Sequence, residues 1–151
     1  MSDHQISYLG KRKFKAQNRQ HVTYIDVPED LLGEDSAPTP KEYLMNAMMG
    51  CTALDVVSIL EKMRQKIGSL TVDIQVEKNK TPPVYFKTAL MTFHVQGEIE
   101  KDKMIKSVVS SLTKYCGVNY MVSEVVDCSY TIILNGEQIY HASVDFVPPE
   151  D

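Results

Sequence analysis

Alternating hydrophobic and polar residues mark several stretches of the chain, and this pattern predicts β-strands. Near the N-terminus, ISYLGKRKFKAQ and HVTYIDV alternate on either side of the polar turn QNRQ. Alternation across a short polar turn is typical of a β-hairpin. LTVDIQVEK and VYFKTALMTFHVQG alternate in the same way around NKTPP, and DCSYTIILNG with EQIYHASV predicts the last strands.

Helical spacing begins after the first hairpin. Thr39 precedes Pro40, and Glu42 stands three residues after Thr39, which is the pattern of a capping box with proline at the first helical position. The predicted helix begins at Pro40 and, without a strong breaker, runs to Ile67, where Gly68 is the expected stop. About 28 residues at 1.5 Å each make a rod of about 42 Å. Its first two thirds are apolar on all sides, so we expect a second copy of the chain to cover it in an obligate homodimer.

A second helical pattern covers residues 100–115, where lysines lie opposite an apolar stripe. This helix is expected to end in a left-handed cap at Gly117, and a short helical stretch is expected over residues 119–125. The predicted fold is therefore α+β, with the order ββαββαβ and a long central helix. Residues 1–151 are expected to form a single domain, with a tail from about residue 145 that frays.

Composition and charge exclude several classes of function. The 151-residue chain has a formal net charge of −4 and no basic block, so nucleic acid is not an expected partner. Charged and polar residues occupy the N-terminus where a signal peptide would be apolar, which predicts a cytoplasmic protein. Polar residues also interrupt the apolar run over residues 43–60, so we expect burial within protein and no membrane partner. The three cysteines and four histidines are scattered, and no metal site is expected.

Cys51, in the stretch NAMMGCTALDVV, has two possible roles. A thiol in an apolar helix usually packs inertly, but it can also react. Cys51 lies about three turns into the helix, beyond the reach of the N-terminal dipole, and Asp55 would raise its pKa by repulsion unless it is paired elsewhere. A reactive Cys51 therefore needs a cation from another segment. The cations of the N-terminal hairpin are Lys11, Arg12, Lys13 and Arg19.

The other two cysteines lie in different settings. Cys116 is placed at a helix end before a glycine, and such a position suits a thiol that must move toward a partner, although simple packing also explains it. Cys128 lies in the alternating strand VDCSYTI and is expected to fill a position in the core.

Two segments together resemble a known family. PTPKEYLMNAMMGCTALDVVSILEKMR, followed some sixty residues later by KYCGVNYMVSEV, is similar to the OsmC/Ohr family of thiol peroxidases, in particular its OsmC-like branch. The resemblance extends over roughly residues 8–136. It implies an intertwined homodimer with long central helices and sheets wrapped outside. It also implies a reaction that uses no cofactor.

The resemblance implies roles for individual residues. Cys51 falls on the peroxidatic position, where a thiolate attacks an organic hydroperoxide and becomes a sulfenic acid. Cys116 falls on the resolving position and forms a disulfide that an external dithiol reduces. Arg12 corresponds to an arginine that holds the thiolate and peroxide, and Glu42 to a carboxylate that fixes this arginine. Peroxidase members place glutamate directly after the helix-start proline, where this chain has Lys41.

Substrate and alternatives follow from the same residues. The apolar side chains expected around the site are Met45, Met48, Met49 and Tyr120. They favour alkyl or lipid hydroperoxides as substrates. The alternatives are a noncatalytic OsmC-fold dimer that binds a small hydrophobic ligand, a redox sensor, and thiol or sulfur-transfer chemistry on another substrate. Lys41 favours the alternatives, whereas the cysteine pair favours the peroxidase.

Overall fold

A computed structural model describes residues 2–150 of the chain. These residues form two compact units, one ending at residue 46 and the other beginning at residue 47. The first unit contains three strands, a 3-10 turn and the start of the first helix: β1 (His4–Gly10), β2 (Lys13–Asn18), β3 (His21–Ile25), the turn Glu29–Leu31, and α1 (Pro40–Lys62). Helix α1 continues into the second unit.

The first three strands form an antiparallel sheet in the order β1-β2-β3. The turn between β2 and β3 lies where it was predicted, with Asn18 paired to His21. The prediction of a single strand before that turn was wrong. Gly10 and Lys11 adopt φ values of 114° and 49°, so the chain reverses and Gly10 pairs with Lys13. Alternation alone does not reveal this turn, because lysines on an exposed strand produce the same pattern.

A buried carboxylate organises the loop between β3 and α1. Asp26 is fully buried and accepts hydrogen bonds from the Ser36 hydroxyl at 2.7 Å, the Ser36 N–H at 3.1 Å and the Val27 N–H at 2.8 Å. The Ser36 hydroxyl is the main cause that lowers the pKa of Asp26 to about 2. These hydrogen bonds fix the loop that leads to the start of α1.

Helix α1 begins at Pro40, as predicted. The Thr39 N–H donates to the Glu42 carboxylate at 2.7 Å, and the Glu42 N–H donates to the Thr39 hydroxyl at 3.3 Å. The predicted capping box is therefore confirmed, and it satisfies two backbone donors at the start of the helix.

The end of α1 differs from the prediction. The helix ends at Lys62 and not at Ile67, because Arg64 takes a left-handed φ of 57°. The Gln65 N–H then donates to the Leu60 carbonyl at 2.9 Å, which is the closing hydrogen bond of a Schellman motif. Glycine is the usual residue at that left-handed position, so an arginine there does not mark the helix end in the sequence.

The second unit completes the fold with a four-stranded sheet and two further helices. Its elements are β4 (Lys66–Lys78), β5 (Phe86–Glu98), α2 (Lys101–Ser110), a π-helical turn (Ser111–Tyr115), α3 (Gly117–Ser123), β6 (Asp127–Leu134) and β7 (Glu137–Ser143). The strand order is β4-β5-β6-β7, with β5 and β6 parallel and the other pairs antiparallel. Parallel neighbours need a crossover connection, and α2 and α3 lie in that connection.

The core lies on one face of the sheet and one stripe of α1. Helix α1 buries residues at every fourth position: Met48, Thr52, Val56 and Leu60. Strands β5 and β6 supply most of the remaining core, and Cys128 is 3% exposed, which confirms its predicted place there. Helix α1 is also long and apolar enough to cross a membrane by length and composition, a property that core helices of soluble proteins share.

The second helical region is more interrupted than predicted. Helix α2 ends at Ser110 and the π turn follows. The predicted left-handed cap at Gly117 was wrong, because Gly117 begins α3 and Cys116 is its N-cap residue. Within residues 2–150 the order is βββαββααββ, counting strands and α-helices only. This is a longer order than ββαββαβ, but the predicted α+β class is confirmed.

The last residues contact the end of the α2–α3 region. Phe146 packs edge-on against Tyr120 with 5.6 Å between ring centroids, and the Val147 N–H donates to the Thr113 carbonyl at 3.1 Å. Fraying of the tail and the single domain stay predictions, and residue 151 of that tail lies outside the described residues.

Candidate functional site

The structure brings the thiols of Cys51 and Cys116 together. The Cys116 side chain lies close enough to Cys51 to raise the pKa of the Cys51 thiol, although one residue lies in α1 and the other before α3. Both cysteines are free thiols, with Cys51 half-buried and Cys116 buried. The two residues predicted to react with each other are thus neighbours in the reduced protein.

The π turn places Cys116 beside α1. The Cys116 N–H donates to the Ser111 carbonyl five residues earlier at 2.9 Å, which is the hydrogen bond of a π-helix. The Ser111 hydroxyl donates to the Asp55 carboxylate at 2.8 Å, and Asp55 lies one turn after Cys51. The π turn is therefore attached to the helix that carries Cys51. Single π turns are common at functional sites.

Burial dominates the electrostatics of Cys51. It raises the pKa of the Cys51 thiol to about 11, and the neighbouring Cys116 thiol adds to the increase. The Val118 N–H lowers this pKa, whereas the Asp55 charge raises it and is the smallest of the causes. Within this chain Cys51 is thus protonated at neutral pH. A reactive thiolate requires a positive charge close to the sulfur.

Asn119 joins the two cysteine-bearing segments. Its side chain is fully buried, and Nδ2 lies 2.9 Å from the Met48 carbonyl and 2.8 Å from the Thr52 hydroxyl. Nδ2 also lies 3.1 Å from the Cys116 sulfur, which accepts from the Asn119 main-chain N–H at 3.4 Å as well. Met48 and Thr52 are on α1 close to Cys51. The amide therefore ties α3 to the helix segment around Cys51.

The orientation of the Asn119 amide is fixed by these acceptors. Exchanging Nδ2 and Oδ1 would bring an oxygen against the Met48 carbonyl, which has no hydrogen to donate. Among the described residues, Asn119 Oδ1 is buried without a protein hydrogen-bond partner. An unmatched buried acceptor costs about 1–3 kcal/mol. The fold keeps this cost at a position where the same amide contacts Cys116.

Asn119 was missed in the sequence prediction. Its spacing to Cys116 in CGVN is that of a helix N-cap and its third residue, so a local signal existed. Its other partners are on α1, far away in the sequence, and no local pattern indicates those contacts.

A groove opens beside Cys116. It has a volume of about 720 Å³. Its walls come from the π turn, α3 and the last residues of the chain: Thr113, Lys114, Tyr115, Cys116, Gly117, Tyr120, Phe146, Val147, Pro148, Pro149 and Glu150. Tyr120, one of the predicted apolar wall residues, lines the groove. Met48, another of them, is fully buried in the core.

The other two predicted site residues belong to the first unit. Arg12 is exposed in the turn between β1 and β2, and Glu42 takes part in the capping box. Two further cations of the N-terminal hairpin have partners within the first unit. Lys11 pairs with Glu34 at 2.5 Å, and the Lys13 ammonium lies 5.5 Å from the Tyr24 ring centroid. The roles of Arg12 and Glu42 at Cys51 stay predictions.

The comparisons with known proteins agree with the resemblance in the sequence. The family model of the OsmC-like proteins matches residues 33–131. YhfA of Escherichia coli strain K12 is 36% identical over 98 residues, which cover 64% of this chain and 73% of YhfA.

Solved structures share the fold at lower identity. A hypothetical protein from Aquifex aeolicus VF5 superposes with a TM-score of 0.79 at 18% identity, over 89% of this chain and 96% of that protein. The organic hydroperoxide resistance protein OsmC of Legionella pneumophila superposes with a TM-score of 0.65 at 15% identity, over 87% and 97% of the two chains. These likenesses show the shared α+β fold.

The same relationship bears on cofactors. Among residues 2–150, no group of three or more His, Cys, Asp or Glu side chains could hold a metal ion, and the family whose model matches is free of cofactors. Since that model covers about two thirds of the sequence, this chain belongs to the OsmC-like protein family.

Proposed function

We propose that this protein is a thiol-dependent peroxidase that reduces organic hydroperoxides. The observation that carries the proposal is the pair of neighbouring free thiols, Cys51 and Cys116. A peroxidatic cysteine needs a second thiol within contact distance, because an unprotected sulfenic acid oxidises further to irreversible forms. The hydroperoxide resistance protein of Legionella pneumophila, which has the same fold, supports this assignment.

The reaction has two steps on the protein. The Cys51 thiolate attacks one peroxide oxygen, the O–O bond breaks, and the alkoxide takes a proton and leaves as an alcohol. Cys51 is then a sulfenic acid. The Cys116 sulfur attacks the Cys51 sulfur, the S–O bond breaks, and water leaves as the disulfide forms. An external dithiol reduces that disulfide and restores both thiols.

Activation of Cys51 needs a cation. With a pKa of about 11, only about one Cys51 thiol in ten thousand is ionised at neutral pH. A guanidinium beside the sulfur lowers a thiol pKa by favouring the charged form. Arg12 is our candidate for that guanidinium, with Glu42 as the carboxylate that holds it.

We also propose that the protein acts as a cytoplasmic homodimer. Helix α1 leaves apolar side chains uncovered, and Leu54 on it is 74% exposed. A second copy of the chain would bury this surface. The other partners we propose are a small hydrophobic hydroperoxide and a thiol reductant, with neither nucleic acid nor membrane involved.

Steady-state turnover tests the proposal. Consumption of cumene hydroperoxide with dithiothreitol as reductant is measured for the wild type and for Cys51→Ser, Cys116→Ser and the control Cys128→Ser. We expect no turnover in Cys51→Ser, slow turnover with progressive inactivation in Cys116→Ser, and near wild-type rates in Cys128→Ser. Wild-type consumption no faster than that of Cys51→Ser would contradict the proposal.

One observation favours a second function. The groove of about 720 Å³ beside Cys116, together with the raised pKa of Cys51, suits a noncatalytic protein that binds a small apolar ligand. Two results together would support this second function. The wild type would show no turnover, and a fluorescent apolar probe would bind equally well to the wild type and to Cys51→Ser.

A further inference from the structure

We propose that Asn119 is a catalytic residue that stabilises Cys116 as a thiolate. In this role it promotes attack on the Cys51 sulfenic acid and, in the reverse direction, release of Cys116 when the disulfide is reduced. The use of this device in peroxide turnover rests on the proposed function, whereas its chemistry on the disulfide does not.

The geometry around the Cys116 sulfur carries the inference. Asn119 directs two donors to that sulfur, Nδ2 at 3.1 Å and its main-chain N–H at 3.4 Å. Both residues are fully buried, so bulk water does not replace these donors if they are lost. Hydrogen bonds to an ionised acceptor are about twice as strong as those to a neutral one. The two donors therefore favour the charged sulfur over the neutral one.

The acceptors around Asn119 Nδ2 compete for its hydrogens, and the outcome differs between the dithiol and the disulfide. Nδ2 carries two hydrogens and faces three acceptors, the Cys116 sulfur, the Met48 carbonyl and the Thr52 hydroxyl. A thiolate competes well for a hydrogen, but a disulfide sulfur is a weak acceptor. When the disulfide forms, the hydrogens return to the two oxygens on α1. The amide thus stabilises the open dithiol relative to the disulfide.

The same donors act in both directions of the exchange. In closure, the Cys116 thiolate gives its electron pair to the Cys51 sulfur, and the hydroxide that leaves takes a proton and becomes water. In reduction, an external thiolate attacks the Cys51 sulfur and the S–S bond breaks. Cys116 then departs with the electron pair and becomes the thiolate that Asn119 holds.

Single-turnover kinetics test this role. Asn119→Leu keeps the side-chain size but has no side-chain donor, and Ser123→Ala is the control, because its hydroxyl lies on α3 and donates to the Tyr120 carbonyl. We expect sulfenic acid formation on Cys51 to change less than about threefold in Asn119→Leu, while disulfide closure slows about tenfold. Asn119→Gln, which restores an amide donor, is expected to recover part of the closure rate.

Two results would overturn the proposal. One is a wild-type closure rate in folded Asn119→Leu, and the other is equal slowing of both steps, which would indicate a merely structural role. If Asn119→Leu does not fold, Asn119→Ser takes its place, since it removes the amide with a smaller polar side chain.

A peroxide-free equilibrium separates this inference from the proposed function. The disulfide is formed with oxidised dithiothreitol, and its equilibrium constant is measured for the wild type and Asn119→Leu. We expect the equilibrium to lie further toward the disulfide in the variant than in the wild type. An unchanged equilibrium constant overturns the role of Asn119. A wild type that equilibrates normally but does not react with hydroperoxide overturns only the peroxidase.

Discussion

At the scale of single residues, the two cysteines differ in the groups that surround their sulfur atoms. Burial raises the pKa of Cys51, and the Val118 N–H is the one group that lowers it among the causes resolved for this thiol. Cys116 receives two hydrogen bonds from Asn119. In its proposed attacking role, Cys51 therefore depends on a charge supplied from outside its own surroundings, whereas Cys116 has donors already in place.

A substitution of Glu42 by glutamine can separate the structural role of this residue from a catalytic one. Glutamine also serves in a capping box, so we expect Glu42→Gln to keep the thermal stability while the peroxidase rate falls about tenfold, because the charge that is proposed to hold Arg12 is lost. Turnover and melting temperature are measured on the same preparation, with Glu61→Gln on the same helix as control. A folded Glu42→Gln variant with the wild-type rate would limit Glu42 to capping.

Asp26 predicts a pH dependence of stability. Its pKa is lowered from 3.8 to about 2 in the folded protein, so its ionised form stabilises the fold above about pH 4, and this contribution is lost as the pH falls toward 2. Asp26→Asn is expected to unfold at lower urea concentration than the wild type at pH 7. The difference should shrink in acid, and a difference independent of pH would exclude Asp26 as its source.

The sequence predicted that Cys51 and Cys116 react with each other, but not that they lie close together. Cys51 and Cys116 were identified through the resemblance, and no spacing rule required them to meet. Asn119 escaped notice because two of its acceptors, Met48 and Thr52, lie on a helix about seventy residues earlier. Hydrogen bonds between distant helices depend on tertiary packing, which local patterns do not encode.

At the scale of secondary structure, the two ends of α1 show what local signals can predict. Its start has a complete set of signals in Thr39, Pro40 and Glu42, and the structure places it there. Its end depends on Arg64 in a left-handed conformation, and an arginine carries no such signal. The sequence does not predict the π turn before Cys116 either, because its residues continue the helical periodicity of α2.

The end of α1 is therefore open to stabilisation. A non-glycine residue in the left-handed region costs about 1–2 kcal/mol, so Arg64→Gly is expected to raise the free energy of unfolding by about 0.5–1 kcal/mol after the entropy of the unfolded chain is counted. Urea denaturation measures the change. Lys62→Gly, at the last residue of the helix, should instead lower stability, by less than the about 1 kcal/mol that glycine costs in a helix interior. Equal destabilisation by both substitutions would contradict the assigned cap.

At the scale of the whole molecule, the surface of α1 is the main unexplained feature of a single chain. Its buried stripe is one residue wide, at Met48, Thr52, Val56 and Leu60, although the helix is apolar on other sides as well. The sequence predicted a helix that needs cover on all sides. The structure of one chain provides that cover on one side, so the homodimer stays a proposal.

Leu54 tests the dimer. Leu54→Glu places a charge on a residue of α1 that is 74% exposed in the single chain, and burying an unpaired charge in an interface is costly. We expect sedimentation velocity to detect a monomer for Leu54→Glu and a dimer for the wild type and for the matched apolar variant Leu54→Met. A dimer that persists in Leu54→Glu would place the interface elsewhere.

The most direct test of the account is the intact mass of the reduced protein after one equivalent of cumene hydroperoxide. We predict loss of two hydrogens in the wild type, one added oxygen in Cys116→Ser, and no change in Cys51→Ser. That pattern would identify Cys51 as the attacking thiol and Cys116 as its resolving partner. No rapid mass change in any of the three proteins would contradict the account and leave Cys51 as a packing residue of α1.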